Sequence, residues 1–237
     1  MNNIDFSADT RDEFRNRLIP LLNTIVPQRG AGRTKTHTEI YCISRLLNSL
    51  PVESLSLPIR LLKRERPDFE LHLANETIGI EHTEGIAQNA AHKNVLRTKG
   101  YGSEIFFVER SFIEEPRKCK DQLINELEHN RLHPPWMGDS IEREWVNAMI
   151  YFINEKLKCA EKEGFKSFSQ NWLLLYNNWS PTPSLDDPKV ISLLNAELFK
   201  VNPWNTFSRI FILGDELLLD ATASSGINSH RVVANTT

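Results

Sequence analysis

The sequence predicts an α/β domain in which helices flank a mixed central sheet. The predicted core order is α-β-β-β-α-β, with one helix added at the N-terminus and a hairpin at the C-terminus. Three observations predict it. Residues 36–50 and 140–164 carry apolar side chains at helical spacing. Between them, three strand-like runs (58–65, 68–73 and 77–84) follow one another with little but turn residues between them. Finally, 172-WLLLYNNW-179 is apolar over most of its length, as a strand covered on both faces is.

Taken in order, residues 8–25 read as an opening helix with Leu18, Leu21, Leu22 and Ile25 on one stripe. The segment 27-PQRGAGRTK-35 breaks it with Pro27, Gly30 and Gly32, and carries Arg29, Arg33 and Lys35. The helix over 36–50 presents Ile40, Ile43, Leu47 and Leu50 on one face, and Thr36 followed by Glu39 reads as its capping box. The three strands come next. Residues 85–139 form an insertion, with a strand expected at 104–109, a helix at 117–129 and a break at Pro134-Pro135. The long helix starts at Ser140, its expected N-cap, and stops at Gly164. After the 172–179 strand, a Pro-rich connection leads to a helix near 188–200 and to a hairpin over 209–221 that turns on Gly214-Asp215. The tail, 222–237, is polar and small and reads as loose. The whole is one domain, 1–237, with its core in 36–84 and 140–221.

Composition removes several function classes. A chain of 237 residues buries a core of its own, and a formal charge of −3 gives no global basic field. Cys42, Cys119 and Cys159 are odd in number and lack CxxC spacing, which fits a reducing compartment better than a disulfide framework or a zinc site. The N-terminus lacks the basic-then-apolar build of a signal peptide, and no apolar run approaches the roughly 20 residues that span a bilayer. The expectation is a cytoplasmic protein without a membrane partner. A monomer and a homodimer are both compatible with the sequence. There is no GxGxxG after a strand, no GxxxxGK[ST] and no GxSxG.

The informative stretch is 65-ERPDFELHLANETIGIEHTEGI-86, where acids collect in a hairpin. Alternation puts Phe69, Leu71 and Leu73 on one face of the first strand, and Asp68, Glu70 and His72 on the other. In the second strand Ile78, Ile80 and His82 share a face opposite Gly79, Glu81 and Thr83. A register pairing Leu73 with Ile78 and Leu71 with Ile80 keeps the apolar faces together. It sets Glu70 opposite Glu81 and Asp68 diagonal to Glu81. Carboxylates this close repel unless a cation or a proton compensates. Hard oxygen donors of this kind suit Mg²⁺ or Mn²⁺. A hairpin with one solvated face is the alternative, and alternation alone favours it. The placement of Asp68 directly after Pro67 and of Glu81 after Ile-Gly-Ile favours the metal site.

Asp68 follows Pro67 and precedes Glu81 by thirteen residues. With the α-β-β-β-α-β order, this resembles the PD-(D/E)xK nuclease superfamily over about residues 36–84 and 140–179. The resemblance implies a restriction-endonuclease-like fold and a divalent metal held by Asp68 and Glu81, with the backbone carbonyl of His82 as a third ligand. It also implies hydrolysis of phosphodiesters, in DNA before RNA. One position departs from the pattern: Thr83 stands where the superfamily has its lysine, and threonine carries no positive charge.

The long helix offers a substitute. Lys156 falls at the margin of the apolar arc centred on Ile153, beside Met149 and Phe152, while Lys158 and Lys162 point away. Relocation of the lysine to this helix occurs within the superfamily, so the resemblance supports Lys156 as the charge that Thr83 lacks. Snorkelling from a half-buried position is its bland role. Glu39 lies one turn before Ile43, where many superfamily members place a further acid; Glu39 or Glu70 would be the auxiliary metal ligand. Arg29, Arg33 and Lys35 are the residues expected to contact phosphates, with Arg60–Arg66 and Lys93–Lys99 as further basic segments. The pair His129 and His133 has metal-ligand spacing but no third ligand. Two alternatives remain beside a nuclease. One is a catalytically silent module of this fold that binds nucleic acid or protein. The other is a sheet-based interaction protein of unrelated fold.

Overall fold

The computed structural model describes residues 4–102, 110–129, 135–162 and 164–232. The strand expected at 104–109, His133 and Pro134 lie outside them. Among the described residues the fold is mixed α/β, with eight strands in one sheet in chain order. Strand β1 (Asp5–Ala8) leads into helix α1 (Arg11–Leu22) and helix α2 (Lys35–Ser49). Strands β2 (Ile59–Lys63), β3 (Phe69–His72) and β4 (Thr77–Gly85) follow as an antiparallel meander. Helices α3 (Gln88–Arg97), α4 (Lys120–His129) and α5 (Ser140–Ala160) then carry the chain to β5 (Gln170–Asn177), parallel to β4. Helix α6 (Pro188–Val201) returns it to β6 (Arg209–Leu213), parallel to β5, and β7 (Leu217–Thr222) and β8 (Gly226–Arg231) close the sheet antiparallel.

The sheet separates two cores. Phe14 and Leu18 of α1 and Ile43, Leu46 and Leu47 of α2 pack on one face with Phe69, Leu71, Ile78, Ile80, Trp172 and Leu174. On the other, Trp145, Met149 and Ile153 of α5 and Val190 and Leu194 of α6 pack with Leu173, Leu175, Ile210 and Ile212. Successive residues of β5 thus serve opposite cores, which is why that strand reads as a continuous apolar run. Helices α3 and α4 share a small cluster of Leu96, Leu123 and Leu127.

Several expectations are corrected. The cap of α2 is Thr34, reciprocally bonded with His37, so the capping box lies two residues earlier than Thr36–Glu39. On α1 the buried stripe runs through Phe14, Leu18 and Leu22, and Ile25 is exposed beyond the helix end. Helix α5 has Asp139 at its N-cap position, but the Asp139 carboxylate pairs with Arg143 and Lys189 and makes no capping bond, and the Ser140 hydroxyl accepts from the Met137 amide. The helix ends at Ala160, short of Gly164. Strand β8 occupies part of the stretch expected to be loose.

The largest correction is the β3–β4 register. Leu71 pairs with Ile78 and Phe69 with Ile80, a slip of two residues from the expected pairing. The Leu73 amide donates to the Glu76 carbonyl at 2.8 Å, which closes a two-residue turn at Ala74-Asn75, and loops of that length are the ones hairpins favour. A slip of two leaves every side chain on its expected face, because the strand period is two. It changes which acids meet. Glu70 now faces Gly79, and one step beyond the last ladder pair the next residues are Asp68 and Glu81.

Candidate active site

Strand β4 outruns its neighbour. It pairs with β3 through residues 77–80 but with β5 through residues 78–85, so its last five residues have a free edge on the β3 side. A backbone amide on such an edge needs an acceptor. Asp68 supplies it: the His82 amide donates to Asp68 Oδ2 at 2.7 Å. This bond explains why a carboxylate is 3% exposed at a strand start.

From the opposite side, α5 delivers Lys156. Burial of Val146, Met149, Ile150 and Ile153 fixes the rotation of the helix and leaves Lys156 at the edge of its apolar face. Its Nζ lies 2.8 Å from Glu81 Oε2 and 3.9 Å from Asp68 Oδ2. Lys35, in the first turn of α2, reaches Asp68 Oδ1 at 2.7 Å and Glu39 Oε1 at 3.0 Å. Glu39 itself is fully buried, and Lys63 Nζ stands 2.6 Å from its Oε2. Neither Glu39 oxygen has a hydrogen-bond partner of proper geometry, so ion pairing alone compensates that carboxylate. Asp68, Glu81, Lys156, Lys35 and Glu39 are therefore linked through two lysines.

Glu70 goes elsewhere. Lys166 donates to it at 3.1 Å, Arg64 lies at 3.5 Å and His72 Nε2 at 3.3 Å. It does not line the cleft that Asp68 and Glu81 share. Arg29 and Arg33 also stand apart: both are bonded to Glu84, Arg33 at 2.5 Å. Of the other basic segments, Arg60 pairs with Asp5 and Lys93 with Glu126. His129 Nδ1 meets the Asn125 carbonyl of its own helix at 3.1 Å.

The cleft has a volume of about 320 Å³. Five basic side chains line it (Lys35, Arg66, Lys156, Lys162 and Lys166) against three acidic ones (Glu65, Asp68 and Glu81), so it is locally positive in a chain of net negative charge. Burial pushes the Asp68 carboxyl up, but the Lys35 hydrogen bond, the His82 amide and the charge of Lys156 outweigh it and hold the group below the usual value. Lys35 is shifted the other way: burial lowers it, and its hydrogen bond to Asp68 and ion pair with Glu39 raise it above an ordinary ammonium. His82, buried behind the site, is pushed down to about 4 by desolvation and stays neutral.

Asp68 and Glu81 supply hard oxygen donors at the cleft floor. Among the described residues no three His, Cys, Asp or Glu side chains are grouped so as to hold a metal ion by themselves. Two carboxylates suffice for Mg²⁺ when water and substrate phosphate oxygens complete its shell. The donor set fits that mode, and does not fit an all-protein cage. Sequence reasoning did not single out Lys63 and Lys166, whose only signal was a cation at a strand end and one in a loop. It set Lys162 pointing away, whereas α5 ends at Ala160 and Lys162 lines the cleft.

Among the described residues, no helix is long and apolar enough to cross a membrane. Comparison of the chain with family models, with curated proteins and with solved structures gives no match.

Proposed function

We propose that the chain is a metal-dependent phosphodiester hydrolase acting on nucleic acid, of the PD-(D/E)xK type, with DNA the expected substrate by that resemblance. The observation that carries the reading is the meeting of Asp68, Glu81 and Lys156 in one basic cleft, with Lys156 Nζ within 4 Å of both carboxylates. The order α2-β2-β3-β4-α5-β5, with α3 and α4 as the insertion, supports a restriction-endonuclease-like core.

Asp68 and Glu81 would hold Mg²⁺ or Mn²⁺, which when bound lowers the pKa of a water and polarises the scissile phosphate. The remaining work belongs to the chain. The His82 amide fixes one oxygen of Asp68, so that carboxylate is oriented before substrate arrives. Lys156 and Lys35 neutralise the two acids in the free protein. On binding, their ammonium groups turn to phosphate oxygens, where Lys156 stabilises the charge that builds on the phosphoryl group. Lys35, Arg66 and Lys162 line the cleft for the flanking backbone. A catalytically silent module would account for Thr83 directly but has no use for Lys156 at this point; the Lys156–Glu81 contact favours the hydrolase.

The test is incubation of supercoiled plasmid, single-stranded DNA and RNA with Mg²⁺ or Mn²⁺, with chelator controls. Cleavage that needs metal and disappears in Asp68→Asn is the expected result. Cleavage of none of these substrates, or cleavage that survives both chelator and Asp68→Asn, would overturn the reading.

A further inference from the structure

Helix electrostatics give Lys35 no reason to stand where it does. It opens α2, and a cation at a helix N-terminus meets the positive end of the macrodipole. Glu39 lies one turn on, and a lysine four residues before a glutamate is the poorer order for such a pair. The place of Glu39 is no better explained by stability. It is fully buried, and neither of its oxygens has a hydrogen-bond partner of proper geometry. A buried ion pair offsets its desolvation only where hydrogen bonds satisfy the remaining lone pairs.

Geometry gives the pair a purpose. Lys35 Nζ stands between two carboxylates, 2.7 Å from Asp68 Oδ1 and 3.0 Å from Glu39 Oε1. Asp68 lines the cleft and Glu39 does not. The other oxygen of Glu39, Oε2, has the mostly buried Lys63 of β2 at 2.6 Å. Charges of alternating sign thus run from Lys63 through Glu39 and Lys35 to Asp68. The Lys35 side chain is itself 71% exposed, so nothing but its two acidic partners keeps its ammonium at the cleft.

We propose that Glu39 is a positioning residue: pinned by Lys63, it keeps the Lys35 ammonium at the cleft when Asp68 no longer holds it. The inference rests on the hydrolase reading, in which Asp68 turns to a divalent cation. Lys35 then loses one partner and has a like charge beside it, which drives an exposed ammonium towards water. Glu39 is withdrawn from the cleft, so it stays with Lys35 and does not join the ligands of the metal. The ammonium it retains takes a phosphate oxygen in place of Asp68. Glu39 therefore acts through Lys35, a different part from the auxiliary ligand that the superfamily resemblance implies.

The test measures cleavage and metal binding side by side in wild type, Lys35→Met, Lys35→Arg, Glu39→Gln and the double variant Lys35→Met/Glu39→Gln. Thermal unfolding shows that each is folded, and Glu39→Asp, which shortens the arm, replaces Glu39→Gln if that protein is not. The expected result is a loss of about tenfold or more in kcat/KM in each of Lys35→Met and Glu39→Gln, with no further loss in the double variant, where Glu39 has nothing left to hold. Lys35→Arg, which keeps the charge, recovers part of the rate. Calorimetric titration with Mn²⁺ finds Glu39→Gln within about threefold of wild-type affinity, whereas removal of a direct carboxylate ligand moves it further. Given a wild type that cleaves, three results overturn the inference alone. They are a folded Lys35→Met that keeps the wild-type rate, losses that multiply in the double variant, and a larger shift of Mn²⁺ affinity in Glu39→Gln. A wild type that does not cleave overturns the hydrolase reading, and the inference with it.

Discussion

His82 joins backbone structure to the chemistry beside it. Its amide orients Asp68, while its ring is 5% exposed, with Nε2 unpartnered. Asp68, Lys156, Glu84 and Lys35 are the charges that act on that ring, and desolvation dominates them. A histidine held at about 4 in the fold and at 6.5 when unfolded binds fewer protons folded than unfolded between those values. Its contribution is therefore fully present above pH 6.5 and is lost as pH falls towards 4. The shift bounds the effect at about 3 kcal/mol. Denaturant unfolding between about pH 7.5 and about pH 4.5 should show stability falling in the wild type and falling less in His82→Leu. Parallel curves would contradict this. At this scale the sequence was partly legible. Alternation placed Asp68 and Glu81 on one face, and the helical arc placed Lys156 at its margin. Glu39 was harder to read, because a capping role and a buried ion pair look alike from spacing until Thr34 and His37 are seen to make the cap. The partners of Arg29 and Arg33 were hidden because Glu84 lies more than fifty residues away in sequence.

Among the elements, the β3–β4 hairpin decides which acids meet. Its faces follow from hydrophobic alternation alone, and those were legible. Its register depended on a turn, and Leu73-Ala74-Asn75-Glu76 carries no Asn-Gly or Asp-Gly signal to mark a two-residue loop. The outcome places Glu70 opposite Gly79, where a side chain has no room: a Cβ at Gly79 would stand 2.5 Å from Phe168 and 2.9 Å from the Asn171 side chain. Gly79→Ala should cost about 1–3 kcal/mol through overpacking. A denaturant midpoint unchanged from wild type would show that Phe168 moves aside freely. Helix α3 escaped sequence reading for a different reason. Much of what it buries is polar: Asn89 bonds Glu115, the Pro116 carbonyl and the Lys118 amide, and Lys93 pairs with Glu126. A helix that packs through such contacts leaves little apolar period to detect.

At the scale of the whole molecule, a net charge of −3 conceals a basic cleft. Of Arg29, Arg33 and Lys35, Lys35 alone lines it, while the two arginines bond Glu84. The fold class was legible because helical and strand periods alternate clearly along the core. The sheet's true width was not, since β1 is short and β8 is mostly polar. The central claim is that Lys156 provides from α5 the charge that Thr83 does not provide from β4. The most direct test compares single-turnover cleavage by wild type, Lys156→Met and the double variant Lys156→Met/Thr83→Lys under the same metal. Loss of about 10²–10³ in rate in the single variant, partly restored in the double one, is the predicted result. A Lys156→Met protein that cleaves at the wild-type rate, or a wild type that does not cleave, would contradict it.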